Sequence, residues 1–294
     1  MPSEKRPLIS IGFPVFNGEL TLNMALESLL EQTFRDFEII ISDNCSTDRT
    51  AEICQAFASD ARIVYYRQAE PIKAIENFKF VLDKAQAPYF MFAAHDDLRS
   101  HNFLERLFEA LECNPEMALA FSDLEVTSSL NSKRVATSHY FETINQPFAL
   151  LRMLTHAFIR FYHIYGLWRT EFLRAIPFTH TSYSPDRPIM MAAAAKGRFI
   201  YTPHAVFVYL SRQKTDLENI EYLDLGDARG SLLYRQLHCI MTTFNTVASG
   251  SGILNALLAA LFVSIKFSFR FLISCCPPGL KKSIKKLHNR IFGG

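Results

Sequence analysis

Two adjacent aspartates, Asp96 and Asp97, are the side chains in this sequence best suited to chemistry. They follow the apolar run Pro88–Phe92, which is typical of a buried parallel strand. Open α/β sheets bind ligands beyond the carboxyl ends of their strands, so a ligand would meet these carboxylates. Hard oxygen ligands suit Mg²⁺ or Mn²⁺ held against a phosphate. The pair therefore indicates a divalent metal site, with capping of the next predicted helix, His101–Phe108, as the alternative.

Polar residues also follow two earlier predicted strands. Pro14, Val15, Phe16 and Asn17 follow the first, and Asp43 with the polar segment Asn44–Thr50 follows the second. In a parallel sheet these ends lie along the same edge as the aspartate pair. Asp43 stands too early to be a simple cap, so we expect it to accept hydrogen bonds from a ligand. The cap of the next helix is expected from Ser46, Thr47 and Asp48.

The elements that must position these residues alternate between strand and helix over the first 125 residues. The predicted strands are Leu8–Phe13, Phe37–Ser42, Ile63–Tyr66, Pro88–Phe92 and Met117–Phe121. This alternation predicts an α/β fold with a mostly parallel sheet, right-handed crossovers and helices on both faces. The sequence lacks a glycine-rich phosphate loop, which argues against an ordinary dinucleotide-binding dehydrogenase or a P-loop nucleotidase.

Composition limits the class of protein. The chain has 294 residues, of which 49% are hydrophobic and 20% charged, so it can bury a large core. The net charge of +2 gives no indication of a nucleic-acid partner. Six cysteines without C-x-x-C spacing indicate reduced thiols in a cytoplasmic protein. The first residues lead into a strand without the apolar region of a signal peptide, which also predicts a cytoplasmic location.

The strand-end motifs resemble those of the family 2 glycosyltransferases of GT-A fold. The matching segments are Pro14–Asn17, Phe34–Thr50 and His95–Asp97, in that order and spacing, with a weaker match to about Lys214. The resemblance implies a Rossmann-like GT-A sheet followed by a helical C-terminal extension. Residues 1–125 would form its nucleotide-sugar-binding half, residues 126–215 the acceptor-binding and catalytic-base half, and residues 216–294 the extension.

The resemblance also implies roles for individual residues. The donor nucleotide would be bound by Pro14, Phe16, Asn17, Asp43, Asn77 and Asp96, with the base, usually uracil, on Asp43. Asp96 and Asp97 would hold Mg²⁺ or Mn²⁺ at the diphosphate, although the family's Asp-x-Asp-Asp motif has Ala94 in its first position here. For Asn77, a helix-start cap is an equally good interpretation. A diphosphate contact is implied for Arg212 and Lys214, and a solvated basic loop is the alternative there.

Asp186 is the candidate catalytic base. It precedes an alanine-rich helix that ends at Gly197, and from the residues alone it would cap that helix, ahead of Pro188. Relatives place their catalytic base as an aspartate at such a helix start. The resemblance then implies inverting, metal-dependent transfer from a UDP-sugar to a hydroxyl of a glycan or lipid-linked acceptor, as in cell-surface polysaccharide synthesis. The alternative is a nucleotide-sugar-binding or nucleotidyltransferase module of similar fold that does not transfer a sugar.

The C-terminal region predicts contact with the cytoplasmic membrane. A long apolar run starts at Ile253 and is interrupted by Lys266 and Arg270, which favours a helix lying in the membrane interface over one that crosses it. The basic tail Lys281–Arg290 suits anionic lipid. We therefore expect peripheral binding to the inner face of the cell membrane through residues 253–290. The alternative is a helix that packs on the catalytic domain or in an oligomer.

Overall fold

A mixed nine-stranded sheet with flanking helices is the framework of the protein. The computed structural model describes residues 6–127, 132–135, 148–149, 152–153, 162–178, 186–210, 240–241, 243–248, 252–261 and 264. The strands are β1 (Ile9–Val15), β2 (Phe37–Asp43), β3 (Ile63–Arg67), β4 (Tyr89–Phe92), β5 (Asp97–Arg99), β6 (Met117–Thr127), β7 (Ser132–Val135), β8 (Leu167–Arg169) and β9 (Arg198–Leu210). The helices are α1 (Leu22–Leu30), α2 (Thr50–Phe57), α3 (Ala74–Lys84), α4 (Phe103–Cys113), α5 (Thr170–Arg174) and α6 (Asp186–Lys196), with a 3₁₀ turn at Tyr162–Tyr165.

The strand order is β3-β2-β1-β4-β8-β6-β9-β5, with β7 paired to β6. Strands β1 to β4 pair in parallel, as predicted from the alternation of strands and helices. The later strands make the sheet mixed, because β8 lies antiparallel between β4 and β6, and β6 runs parallel to β9. The α/β class is confirmed, and each antiparallel pair includes at least one strand that follows β4.

The central strands are apolar because both faces of the sheet are covered. Every residue of β1 and β4 is buried. Along β4, Tyr89 and Met91 pack into one core cluster, whereas Phe90 and Phe92 pack into the cluster on the other face. Side chains of successive strand residues point to opposite faces, so a strand buried on both sides shows a continuous apolar run.

Strand β5 was not predicted, and it changes the interpretation of the aspartate pair. Asp97 is its first residue and pairs antiparallel with Tyr209 of β9. Helix α4 begins only at Phe103, with Asn102 as its N-cap residue. The alternative in which the aspartates cap that helix is therefore wrong.

Helix α6 lies almost wholly inside the protein. Residues 187–195 are all buried, which explains why its sequence is rich in alanine and methionine and lacks a polar face. At its C-terminal end, the buried guanidinium of Arg152 donates hydrogen bonds to the carbonyls of Ala194 and Ala195 over 2.7 and 2.8 Å. These bonds satisfy carbonyls that a helix leaves without internal partners. The helix is therefore held firmly at the end opposite to Asp186.

Residues 253–261, at the beginning of the C-terminal apolar run, are helical. Ala256 and Ala259 are buried in the second core cluster, whereas Ile253, Leu254 and Leu257 are exposed. Within the part of the chain that the structure describes, no helix is long and apolar enough to cross a membrane.

Candidate active site

The loops that follow β1 and β2 are joined by hydrogen bonds at the carboxyl edge of the sheet. The Asn17 N–H donates to Ser46 Oγ over 2.9 Å, and the Thr47 N–H donates to Asn17 Oδ1 over 2.9 Å. The Gly18 N–H donates to Thr50 Oγ1 over 2.8 Å. Asn17 has a φ of +49°, a region that asparagine tolerates better than most residues. The two loops therefore form one fixed unit of the edge.

Of the three residues expected to cap α2, Asp48 bonds to the start of the helix. Its Oδ1 accepts the N–H of Thr50 over 3.0 Å, and its Oδ2 accepts the N–H of Glu19 over 3.1 Å. Ser46 instead accepts from the β1 loop, and Thr47 is exposed. Asp48 thus serves both the helix and the connection between the loops.

Asp43 is fully buried at the end of β2 and is surrounded by hydrogen-bond donors. Its Oδ1 accepts the N–H of Ser46 over 2.9 Å. Its Oδ2 accepts from the Tyr65 hydroxyl and from the guanidinium of Arg67, each over 3.0 Å. Burial and the neighbouring Asp43 raise the pKa of Tyr65 to about 12, so this hydroxyl remains a donor. The sequence placed Asp43 at the ligand-binding edge but did not identify its partners on β3.

The other residues predicted to line the base pocket differ in exposure. Pro14 is buried in β1 and pairs with Ser42 of β2, so it can offer only its backbone to a ligand. Phe16 is 49% exposed, and Asn17 is exposed in the joined loops. The structure thus brings an exposed aromatic ring and the Asn17 backbone to the edge at which Asp43 lies.

Asn77 connects α3 to the end of β2. Its Nδ2 donates to the carbonyl of Ser42 over 3.0 Å, and its Oδ1 accepts from the Ser42 hydroxyl over 2.5 Å. Helix α3 begins at Ala74, and the carboxylate of Glu76 accepts the N–H of Lys73 there. The helix-start cap suggested for Asn77 is therefore wrong, since its amide is engaged with the strand beside Asp43.

The loop between β4 and β5 ends with Asp96, directly before Asp97 of β5, and is tied to the start of α1. The His95 ring lies against Gly18, where an added Cβ would be 3.1 Å from the imidazole. His95 Nδ1 lies 3.0 Å from Thr21 Oγ1. His95 is thus a connection between the first and fourth strand ends, and Asp96 beside it is partly exposed.

Asp97 is a buried carboxylate whose hydrogen bonding is incomplete. It is 2% exposed, and its Oδ1 has no hydrogen-bond partner within the described parts of the chain. Burial, followed by the charge of Asp96, raises the pKa of Asp97 to about 8, while Arg99 and the backbone N–H of Leu210 act in the opposite direction. A carboxylate without sufficient hydrogen bonds binds its proton more tightly in a low dielectric. Such a group is an unsatisfied ligand for a cation.

Tyr165 connects the aspartate pair to the candidate base. It ends the 3₁₀ turn before β8, and its ring stacks on Phe207 of β9 at a centroid distance of 5.3 Å. Burial, then Asp97, Asp96 and Asp186 in that order, raise the pKa of Tyr165 well above its usual value. All three predicted carboxylates are therefore electrostatic neighbours of one hydroxyl, although Asp186 is the first residue of α6 and distant in sequence.

The aspartate pair fits a divalent ion shared with a phosphate. Mg²⁺ is usually bound by one or two carboxylates together with substrate phosphates and water. The buried, unpartnered Oδ1 of Asp97 and the partly exposed Asp96 supply this kind of donor set. No group of three or more His, Cys, Asp or Glu side chains suited to a metal is found among the described residues.

Two residues predicted from the sequence cannot be compared with the structure, and four residues near the site were not predicted. Arg212 and Lys214 lie outside the described residues. Tyr65, Arg67, Arg99 and Tyr165 were not singled out, because a tyrosine or arginine in a strand or turn resembles an ordinary half-exposed residue. For Arg99, the signal was its position two residues after Asp97, which places both side chains on one face if the segment is a strand.

We expect Asp97→Asn to stabilise the metal-free protein at pH 8. The folded-state pKa of about 8 exceeds that of an unfolded aspartate, about 3.9, so ionising Asp97 costs folding free energy as pH rises between these values. Asparagine carries no charge and removes this cost. With a chelator present, the variant should melt above the wild type at pH 8, by about 2–4 °C for each kcal/mol gained in the free energy of unfolding. Near pH 4 the two proteins should melt at the same temperature.

The control for this measurement is Asp83→Asn on α3, since Asp83 is exposed and forms a surface ion pair with Lys79. That variant should show little dependence of its relative stability on pH. An Asp97→Asn protein that melts below the wild type at pH 8 would contradict the raised pKa.

Comparisons with known proteins identify the family. The sequence matches Glycosyl transferase family 2 over residues 10–170. Glycosyltransferase GlyG of Streptococcus pneumoniae is 31% identical over 106 residues, which are 36% of this chain and 35% of GlyG. The putative teichuronic acid biosynthesis glycosyltransferase TuaG of Bacillus subtilis is 34% identical over 119 residues, 40% of this chain and 46% of TuaG. The matches thus span less than half of either relative.

Solved structures share the fold over most of the chain. S. aureus TarS 1-349 in complex with UDP-GlcNAc has a TM-score of 0.58 at 13% identity, and the aligned region covers 89% of this chain and 91% of the TarS chain. The mannosyltransferase PcManGT from Pyrobaculum calidifontis, in complex with GDP-Man and Mn²⁺, has a TM-score of 0.56 at 14% identity, covering 97% and 81%. These likenesses confirm the GT-A fold. Because the family match covers more than half of the sequence, this chain belongs to Glycosyl transferase family 2.

Proposed function

We propose that this protein transfers a sugar from a nucleoside diphosphate donor to a hydroxyl group of an acceptor, with inversion at the anomeric carbon. The observation that carries the proposal is that Asp96, Asp97 and Asp186 all act electrostatically on one hydroxyl group, that of Tyr165. A neighbouring pair of carboxylates suits a metal ion on a diphosphate, and a third carboxylate suits a base. Membership of the family supports this assignment.

The donor base would be recognised by Asp43, with Pro14, Phe16 and Asn17 lining the pocket. Uracil, with an N–H that can donate to a carboxylate, is the base that we propose. In the structure Asp43 accepts hydrogen bonds from Tyr65 and Arg67, so the N–H of a bound base would replace one of these donors. The bound nucleotide is UDP-GlcNAc in the TarS structure and GDP-Man in the PcManGT structure, so guanine is the competing base.

The buried end of the pocket is shaped by Asn77, whose two hydrogen bonds fix Ser42 directly before Asp43. Its proposed part in donor binding is therefore to hold the β2 end in place. Arg212 and Lys214 remain candidates for contact with the diphosphate on the basis of sequence alone.

Asp96 and Asp97 would hold Mg²⁺ or Mn²⁺, and a bound ion of this kind stabilises negative charge on a leaving diphosphate. The contribution of the protein would be to present a buried oxygen, Oδ1 of Asp97, to which no group of the described residues donates a hydrogen bond. Asp96, being partly exposed, can also reach the ribose of the donor. The Mn²⁺ in the PcManGT complex supports a divalent ion in this fold.

Asp186 would act as the base. It would take the proton of the acceptor hydroxyl while the hydroxyl oxygen attacks the anomeric carbon from the face opposite to the leaving diphosphate. The bond between the anomeric carbon and the diphosphate oxygen breaks in the same step, so that one base suffices and a covalent intermediate is not required. Burial of α6 and its hydrogen bonds to Arg152 would fix the position of this carboxylate.

The acceptor that we propose is a glycan or a lipid-linked glycan, as in polysaccharide synthesis. The similarity to TuaG, which is named for teichuronic acid biosynthesis, supports this class. A lipid-linked acceptor would lie at the cytoplasmic membrane surface. The exposed face of residues 253–261, with Leu254 71% exposed, and the basic segment Lys281–Arg290 would bring the protein to that surface.

A donor screen tests the proposed reaction. We expect the wild type to release UDP or GDP from one nucleotide sugar, with rates that fall when Mg²⁺ and Mn²⁺ are chelated. Asp186→Asn should lower turnover by about 10²-fold or more and leave donor affinity unchanged, since a base acts mainly in the transition state. The measurements are nucleotide release and calorimetric titration with the same donor.

The control is Asp83→Asn, a carboxylate near the C-terminal end of α3 that forms an exposed ion pair with Lys79 and should retain wild-type turnover. Near-normal turnover of Asp186→Asn would return Asp186 to a helix-capping role. Donor binding by the wild type without nucleotide release from any donor and acceptor would favour the binding-module alternative.

Vesicle sedimentation tests the membrane proposal. The full-length protein should pellet with phosphatidylglycerol vesicles at low salt and remain partly bound at high salt, because salt screens charge but not apolar burial. Replacing Leu254 and Leu257 together by Asp should weaken binding by about 10²-fold or more, given about 1.5–3 kcal/mol for each buried leucine. Leu20→Asp, on an 81% exposed leucine near α1, is the control and should bind as the wild type does. Wild-type protein that stays in solution at every salt concentration would favour packing of this face against protein.

A further inference from the structure

The loop that carries Asp96 and Asp97 is closed at its base by Arg99. Phe92 is the last residue of β4, and its carbonyl accepts a hydrogen bond from Arg99 Nη2 over 3.1 Å. The hydrogen bond joins the residue before the loop to Arg99 of β5, two residues after Asp97. The ends of the candidate metal-binding loop are thus held together by one side chain.

The environment of Arg99 is unusual for an arginine that only stabilises the fold. Arg99 is 5% exposed, and its guanidinium carbon lies 5.8 Å from the Phe103 ring centre and 5.3 Å from that of Phe207. The planar group is therefore fixed by aromatic faces on α4 and β9. Its Nε and Nη1 have no hydrogen-bond partner in the described parts of the chain.

Asp97 and Arg99 lie on the same face of β5. They are two residues apart, which places them about 7 Å apart along the strand. Both side chains have buried polar atoms without a hydrogen-bond partner among the described residues: Oδ1 of Asp97 and two nitrogens of Arg99. Two groups of opposite charge are therefore incompletely hydrogen-bonded on one face of the same strand. Buried charges of this kind are costly to the fold and are retained where their position matters.

A comparison with Arg169, a partly buried arginine at the end of β8, shows how a purely structural arginine differs from Arg99. Arg169 donates from Nε, Nη1 and Nη2 to the Met117 carbonyl, the Tyr89 hydroxyl and the Leu111 carbonyl, over 2.9, 3.0 and 2.8 Å. All three groups belong to the framework of the sheet and α4. Arg169 is therefore a well-satisfied structural connection, whereas Arg99 has spare donors beside a carboxylate.

We propose that Arg99 is a positioning residue for the metal-dependent step: it holds the loop from Phe92 to Asp97 so that both carboxylates present their oxygens to a divalent ion on the donor diphosphate. The inference rests on the proposed function. Arg99 does not touch the donor. It acts through the Phe92 carbonyl and through its charge beside Asp97.

The test measures Mn²⁺ affinity directly. Mn²⁺ is titrated into the full chain in the presence of UDP, or of GDP if the wild type binds only that nucleotide, and free Mn²⁺ is followed by electron paramagnetic resonance. Arg99→Met should weaken Mn²⁺ binding about 10- to 100-fold, as is typical when a residue that supports a metal ligand is lost. Arg99→Lys keeps a charge and a hydrogen-bond donor but not the planar guanidinium, so the Mn²⁺ affinity of this variant should lie between those of the wild type and Arg99→Met.

The matched controls are Arg169→Lys and Arg169→Met, with thermal unfolding recorded for all variants. They should lower the melting temperature at least as much as the Arg99 variants and leave Mn²⁺ affinity unchanged. In transfer assays, the Arg99 variants should raise the apparent KM for Mn²⁺ more than they lower kcat at saturating Mn²⁺.

The outcomes separate the inference from the proposed function. Wild-type Mn²⁺ affinity in Arg99→Met, or an equal loss in Arg169→Met, would overturn the role of Arg99 while leaving the transferase proposal intact. A wild type that binds no Mn²⁺ with either nucleotide would overturn the metal-dependent mechanism and the inference with it.

Discussion

The burial of the Asp97 carboxylate is the constraint on which the candidate site depends. An ionised carboxylate at 2% exposure loses hydration that its surroundings replace only in part, since one oxygen has no partner among the described residues. The charge of Arg99 and the Leu210 N–H offset some of this cost. A divalent cation would offset the remainder. The desolvation cost of Asp97 is therefore only partly compensated by the protein, at the point where the proposed chemistry needs a metal ion.

The two sides of the carboxyl edge differ in how completely their polar groups are hydrogen-bonded within the described parts of the chain. On the side of β1 and β2, backbone N–H groups of Asn17, Gly18 and Thr47 are already paired with side chains of the facing loop. On the side of β5, Asp97 and Arg99 have hydrogen-bonding atoms without a partner in the described parts of the chain. The nucleotide would meet a fixed surface, whereas the diphosphate and its ion would complete an unfinished one. This division is consistent with a site that would select the base by hydrogen bonding to a fixed surface and the diphosphate by charge.

The parts of this arrangement that the sequence predicted are those with a local signal. Strands β1 to β4 are short apolar runs between turn residues, and the aspartate pair follows one of them, so the edge could be predicted from pattern alone. Strand β5 is only three residues long and is defined by pairing with Phe207, Val208 and Tyr209, more than a hundred residues away. No local pattern marks such a strand. Arg99 was missed for the same reason, because a charged residue after two aspartates looks solvated until its strand partner is known.

The pairing of β5 with β9 also determines when the site can form during synthesis. Asp97 needs Tyr209 opposite it, and Arg99 needs the Phe207 ring, so a nascent chain that ends near residue 125 has the nucleotide edge but an unpaired β5. At roughly 5–20 residues per second, the ribosome takes several seconds more to supply β9. Contacts of such long sequence separation form late in folding. An incomplete chain would therefore have the base-binding edge before its metal-binding loop is held in place, and catalytic competence would be acquired only at the last stage of folding.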